Sequence, residues 1–170
     1  KFGQNLVVEN SENDYLDWKS YDSNGEIWLE EKLSISSIFN LIKTGNSSTD
    51  TLVEILHQAN KMNPEILKNS SRYKITTELT FPRNWGLGSS STLINNIAQW
   101  FKIDAFELLK LSFGGSGYDI ANAQNDTAIL YQFINGKTRV KPFVFQPNFS
   151  EKIFFVYLNQ KQSSKEAIAS

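Results

Sequence analysis

Residues 74–81 alternate without a break, with Ile75, Thr77, Leu79 and Phe81 set against Lys74, Thr76, Glu78 and Thr80. A period of two places one face on a core and the other in water, so this is a strand. Pro82 cannot extend it. Gly86 and Gly88 follow, and from Ser89 the residues Leu93, Ile97, Trp100 and Phe101 form an apolar stripe that predicts a helix over 89–101. A strand that turns through two glycines directly into a helix brings free backbone N–H groups together with backbone that carries no side chain. Those donors and the helix dipole favour an anion such as a phosphate. The hydroxyls of Ser89, Ser90 and Ser91 can bond a phosphate oxygen, and one of them can ligate Mg²⁺.

Three structural readings of this loop compete. The plainest is a tight turn with serine caps. A dinucleotide-binding fingerprint fits poorly, because its third glycine would fall at Ser91 and no acidic strand end follows at the right distance. A P-loop fails for want of Gly-Lys-Ser/Thr. A second glycine loop, Gly114-Gly115-Ser116-Gly117, leads into Tyr118-Asp119-Ile120-Ala121 and another helix. Spacing leaves Asp119 open between a cap and a functional carboxylate.

The rest of the chain alternates strands and helices in an α+β order. Strands are expected at 2–9, 15–21 and 26–33, the last two joined as a hairpin by Asp22-Ser23-Asn24-Gly25. Residues 34–43 are mixed and carry no assignment. Gly45 to Ser48 reads as a loop, and a helix is expected over 49–62, with Leu52, Ile55, Leu56 and Ala59 on one side. Asp104 and Glu107 form an approximate capping box for a short helix through Leu111. Strands are expected at 128–134 and 140–145 around the turn Asn135-Gly136, then at 153–158, with a helix starting near Ser164. Pro147 and Asn148 look like a boundary.

Composition closes off several functions. Net charge is -1, with Lys and Arg scattered, which argues against a nucleic-acid partner. With no cysteine there is neither a disulfide framework nor a thiolate metal site, in keeping with a cytoplasmic location. No apolar run approaches the ~20 residues of a membrane helix, and no leader is visible. His57 is the sole histidine and has no acidic or cysteine cluster near it in sequence, so packing is the expected role. Ser116 does not sit in Gly-x-Ser-x-Gly, since Tyr118 breaks that pattern. The 4 tryptophans and 12 phenylalanines read as core, because no basic groove accompanies them. Four Asn-x-Ser/Thr sites, at Asn46, Asn69, Asn125 and Asn148, read as chance matches.

The segment from Pro82 to Thr92 resembles the second motif of the GHMP superfamily of small-molecule kinases, Pro-x-x-x-Gly-Leu-Gly-Ser-Ser-Ala-Ala. The Gly86-Leu87-Gly88-Ser89-Ser90 core matches in full. Trp85 stands where a small residue is common, and Ser91-Thr92 replace the alanines, adding bulk and polarity near the loop. Gly117-Tyr118-Asp119-Ile120-Ala121 is similar to the signature of a bacterial GHMP subfamily, and mevalonate and phosphomevalonate kinases carry a Gly-x-Asp in the same order.

The resemblance implies residues 1–148 as most of a GHMP N-terminal, ATP-binding domain and 149–170 as the start of an α/β second domain. It implies Gly86, Leu87, Gly88, Ser89, Ser90 and Ser91 as the nucleotide cradle, Asp119 as the catalytic carboxylate, and Ser90 with Glu107 as magnesium ligands. ATP and Mg²⁺ would be the cofactors. The acceptor would be a small alcohol or phosphate ester, most readily of mevalonate type, in a soluble enzyme for which a homodimer is one allowed assembly. A catalytically degenerate, nucleotide-binding paralogue is the alternative. Two of the three family motifs would lie outside residues 1–170, so these residues alone are expected to be inactive.

Overall fold

The computed structural model describes residues 2–67 and 72–158. Its main sheet has four strands, β1 (Gln4–Asn10), β2 (Leu16–Tyr21), β3 (Ile27–Leu33) and β4 (Tyr73–Leu79), in the order β1-β4-β2-β3. β4 pairs antiparallel with β1 and parallel with β2, and β2 with β3 forms the expected hairpin. The alternation in 74–81 has the predicted effect. Ile75, Thr77 and Leu79 are buried, as are Leu16, Trp18 and Ser20 on β2. The opposite face carries the ion pairs Lys19–Glu30 (2.8 Å) and Lys74–Glu9 (3.4 Å).

The helices α1 (Ile35–Phe39), α2 (Ser47–Met62), α3 (Ser89–Phe101), α4 (Ala105–Ser112) and α5 (Tyr118–Ala123) share a core with the buried face of the sheet. The arrangement is two-layered α+β. α1 fills the stretch left unassigned by sequence, with Ser34 accepting from the Ser37 N–H. α2 begins two residues earlier than expected because Asn46 caps it, accepting from the N–H groups of Ser48 (3.0 Å) and Thr49 (3.4 Å). Asp104 caps α4 through the Glu107 N–H at 2.8 Å.

A separate two-stranded sheet, β5 (Ile129–Ile134) and β6 (Lys137–Pro142), turns at Asn135-Gly136. Both turn residues have positive φ, 52° and 74°, the geometry of a two-residue hairpin loop. That tight turn pairs Ile134 directly with Lys137, which pulls β6 three residues earlier than the expected 140–145. Residues 153–158 do not form the expected strand. Among the described residues no neighbouring strand completes a ladder with them, and Phe154, Val156 and Leu158 face outward. The helix expected near Ser164 lies outside the described residues. His57 has the packing role expected of it, its Nδ1 bonding the Ile38 carbonyl at 2.9 Å. Among the described residues no helix is long and apolar enough to cross a membrane.

One buried polar knot ties the two central strands. Trp18 Nε1 donates to Ser20 Oγ at 3.0 Å, and Thr77 Oγ1 donates to the same oxygen at 2.8 Å. The parallel register sets Ser20 beside Thr77, so the bond crosses from β2 to β4. Ser20→Ala deletes the shared acceptor and leaves the Trp18 N–H unpaired in the core. Urea unfolding should show a loss of about 1–3 kcal/mol, with the dependence on denaturant unchanged.

Candidate active site

The two glycine loops meet. α3 starts at Gly88, whose φ of +73° puts it in the left-handed region. No side chain caps this helix end, so the N–H groups of the first turn, at Ser89 to Ser91, face no capping oxygen. A methyl group added at Gly88 would lie 3.4 Å from Asp119 Cγ and 3.6 Å from Asp119 Oδ1. The backbone at the start of α3 thus runs against the carboxylate that α5 presents.

Asp119 is not a cap. Gly117 occupies that position on α5, and no side-chain bond closes the end. The Asp119 side chain instead lines a cleft of about 550 Å³, together with Leu87, Gly88, Thr92, Asn95 and Asn122. Partial burial raises its pKa above the ordinary carboxylate value, while a hydrogen bond from the adjacent Tyr118 hydroxyl pulls the other way. The charge of Asp119, with burial and that same bond, raises the Tyr118 phenol in turn.

Ser89, Ser90 and Ser91 lie half-buried in the first turn of α3, between Gly88 and Thr92, which line the cleft; the three serines themselves do not line it. Glu107 is elsewhere. It sits exposed in the first turn of α4, 3.9 Å from Lys110, and does not line the cleft. Among the described residues no three His, Cys, Asp or Glu side chains cluster as a metal site. A Mg²⁺ held mainly by nucleotide phosphates needs only one or two protein oxygens, and Ser90 stands in the first turn of α3, among the uncapped N–H groups.

The bulk of Trp85 does not enter the cleft. Its ring stacks on Tyr157 (5.2 Å between centroids, 23° between planes) and meets Phe155 and Phe2. Thr92, in place of an alanine, ties α3 to β1 through one hydroxyl donor, shared between Gln4 Oε1 at 3.0 Å and the Ser89 carbonyl of its own helix at 2.9 Å.

Sequence reasoning passed over Asn95 and Tyr131. Asn95 is buried on α3, lines the cleft and accepts from Gln124 Nε2 at 3.1 Å, joining α3 to the end of α5. An asparagine beside the apolar stripe of α3 was the available signal. Tyr131 donates its hydroxyl to the Ser116 carbonyl from β5, and no local pattern announces that contact.

Neither a family profile nor a curated protein sequence matches the chain. Its structure superposes on a protein from Campylobacter jejuni provisionally named a sugar kinase, with a TM-score of 0.59 and 17% identity. The two chains share a fold. The match covers 89% of this chain and 48% of the other, so the chain spans about half the length of that neighbour.

The Asp119 shift carries a signed consequence for stability. A carboxyl whose folded pKa is raised stabilises the fold below its unfolded value and loses that contribution as pH rises through the folded value. At neutral pH the folded state therefore holds a partly desolvated charge at a cost. Asp119→Asn removes that charge, and its melting temperature should equal or exceed that of the wild type at pH 7. The difference should vanish below the ordinary value of 3.8. Thermal melts across that range check it, and a variant less stable at pH 7 than at pH 3.5 relative to wild type would contradict it.

Proposed function

We propose that the protein is a GHMP-type kinase, transferring the γ-phosphate of ATP to a hydroxyl of a small molecule. The observation that carries this reading is the contact between Gly88 and Asp119. It sets an uncapped helix N-terminus, suited to phosphate, beside a partly buried carboxylate, suited to a hydroxyl proton. The fold shared with a protein named a sugar kinase supports small-molecule phosphoryl transfer in outline. The Gly-Leu-Gly-Ser-Ser core and the Gly-Tyr-Asp-Ile-Ala string support the finer assignment.

Phosphoryl transfer asks little covalent chemistry of a protein beyond positioning and charge stabilisation. In this reading the first-turn N–H groups of α3 and the hydroxyls of Ser89 to Ser91 hold the phosphates. Ser90 is the Mg²⁺ ligand, and the ion would neutralise phosphate charge. The Asp119 carboxylate orients the acceptor hydroxyl and takes its proton as the new O–P bond forms. A raised pKa makes it a better base than an ordinary aspartate. Residues 149–170 are then the opening of a second domain that contributes further to the site.

Mevalonate is the acceptor the sequence strings favour. A sugar is the second reading, favoured by the name of the structural neighbour and by an amide-rich cleft wall of Gln4, Asn5, Asn95, Asn96, Asn122 and Asn125. A coupled ADP-release assay on the intact protein, run with mevalonate, phosphomevalonate and neutral sugars, separates the two. With the acceptor found, Asp119→Asn should lower kcat by at least ~100-fold with the fold intact. Near-normal turnover in that variant would return Asp119 to a structural role. Gly88→Val should abolish ATP binding by calorimetry, since its side chain would press on Asp119 and strain a left-handed residue.

A further inference from the structure

The β5–β6 hairpin stands outside the main sheet, and most of its side chains are exposed. Tyr131 is one of the few that are not. Its half-buried side chain reaches back to the second glycine loop, and its hydroxyl donates to the Ser116 carbonyl. That loop needs holding. Gly114, Gly115 and Gly117 have φ of +74°, +113° and +81°, and glycines in such a run have many other conformations open to them.

Gly117 is enclosed from two sides. A methyl group there would meet Phe106 Cδ1 at 3.0 Å from α4 and Tyr131 Oη at 3.4 Å from β5. Gly117 is also the residue at which α5 starts, two positions before Asp119. The chain of contact therefore runs from the hairpin, through one hydroxyl and one glycine, to the carboxylate beside Gly88.

We infer that Tyr131 is a positioning residue, whose bond to Ser116 holds the glycine loop in the one form that seats the Asp119 carboxylate against the start of α3. The inference rests on the kinase reading for its catalytic consequence, but its mechanical content stands apart from it. Without the hydroxyl the loop relaxes, α5 starts differently, and water reaches Asp119. The phosphate-binding end of α3 is not touched.

Tyr131→Phe in the intact protein removes the hydroxyl and keeps the ring. Turnover should fall by at least ~10-fold while KM for ATP stays within about twofold, the pattern of a misplaced catalytic group rather than a lost nucleotide contact. In parallel, the Asp119 carboxyl is followed by ¹³C NMR as pH is changed. Its midpoint should drop toward the ordinary aspartate value, because burial is what holds it up. Tyr118, which bonds Asp119, is the titratable neighbour whose charge state enters that midpoint, and Asp126 lines the same cleft. An unmoved Asp119 midpoint would overturn the inference, as would a kcat within about twofold of wild type. If the wild-type protein turns over no acceptor, the kinase reading fails, and the midpoint alone then decides whether Tyr131 sets Asp119.

Discussion

The site depends on one contact, the bare backbone of Gly88 against the side chain of Asp119. A methyl group at Gly88 would already touch Asp119, and the left-handed φ of +73° would strain any side chain placed there. The contact brings the start of α3 and the first turn of α5 to one place, although the two positions lie 31 apart in the chain. Everything around it serves that meeting. β4 delivers the first loop, α4 returns the chain, and Asn95 with Gln124 pins the middle of α3 to the end of α5 at 3.1 Å. Asp119 keeps a raised pKa because this packing removes part of its water.

Glycines gather where the chemistry is expected. Gly86, Gly88, Gly114, Gly115 and Gly117 all take positive φ, a backbone state that glycine adopts freely and that costs other residues roughly 1–2 kcal/mol each. The core below is ordinary by comparison. Leu, Ile and Phe side chains fill the space between sheet and helices, and the Trp18, Ser20 and Thr77 polar groups at its centre bond one another. Packed elements beneath a pair of glycine loops are the division that lets a site be both shaped and held.

Much of this was legible in the sequence where local chemistry decides structure. The alternation from Lys74 to Phe81, the stripe on α3, the Asp104 cap and the Asn135-Gly136 turn each point to one local form, and each is found. What was not legible depends on partners distant in the chain. Residues 153–158 have strand composition, but a strand needs a neighbour, and here Phe155 and Tyr157 pack on Trp85 instead. Trp85 read as bulk near the phosphate loop, yet its ring turns to those aromatics and away from the cleft. Glu107 fitted a capping box by spacing and a ligand set by family resemblance, and the structure leaves it exposed on α4, outside the lining of the cleft. The bond from Tyr131 to Ser116 spans 15 residues, with no periodicity to betray it.

The central claim is that the start of α3 holds phosphate next to Asp119. Backbone amide NMR of the intact protein, titrated with Mg²⁺ and a non-hydrolysable ATP analogue, tests it most directly. The account predicts that the largest shifts fall on residues 86–92, followed by 114–119, since N–H groups that take up a phosphate change most and the second loop touches the first. Saturable shifts confined to other parts of the molecule, with Ser89, Ser90 and Ser91 unmoved, would contradict it.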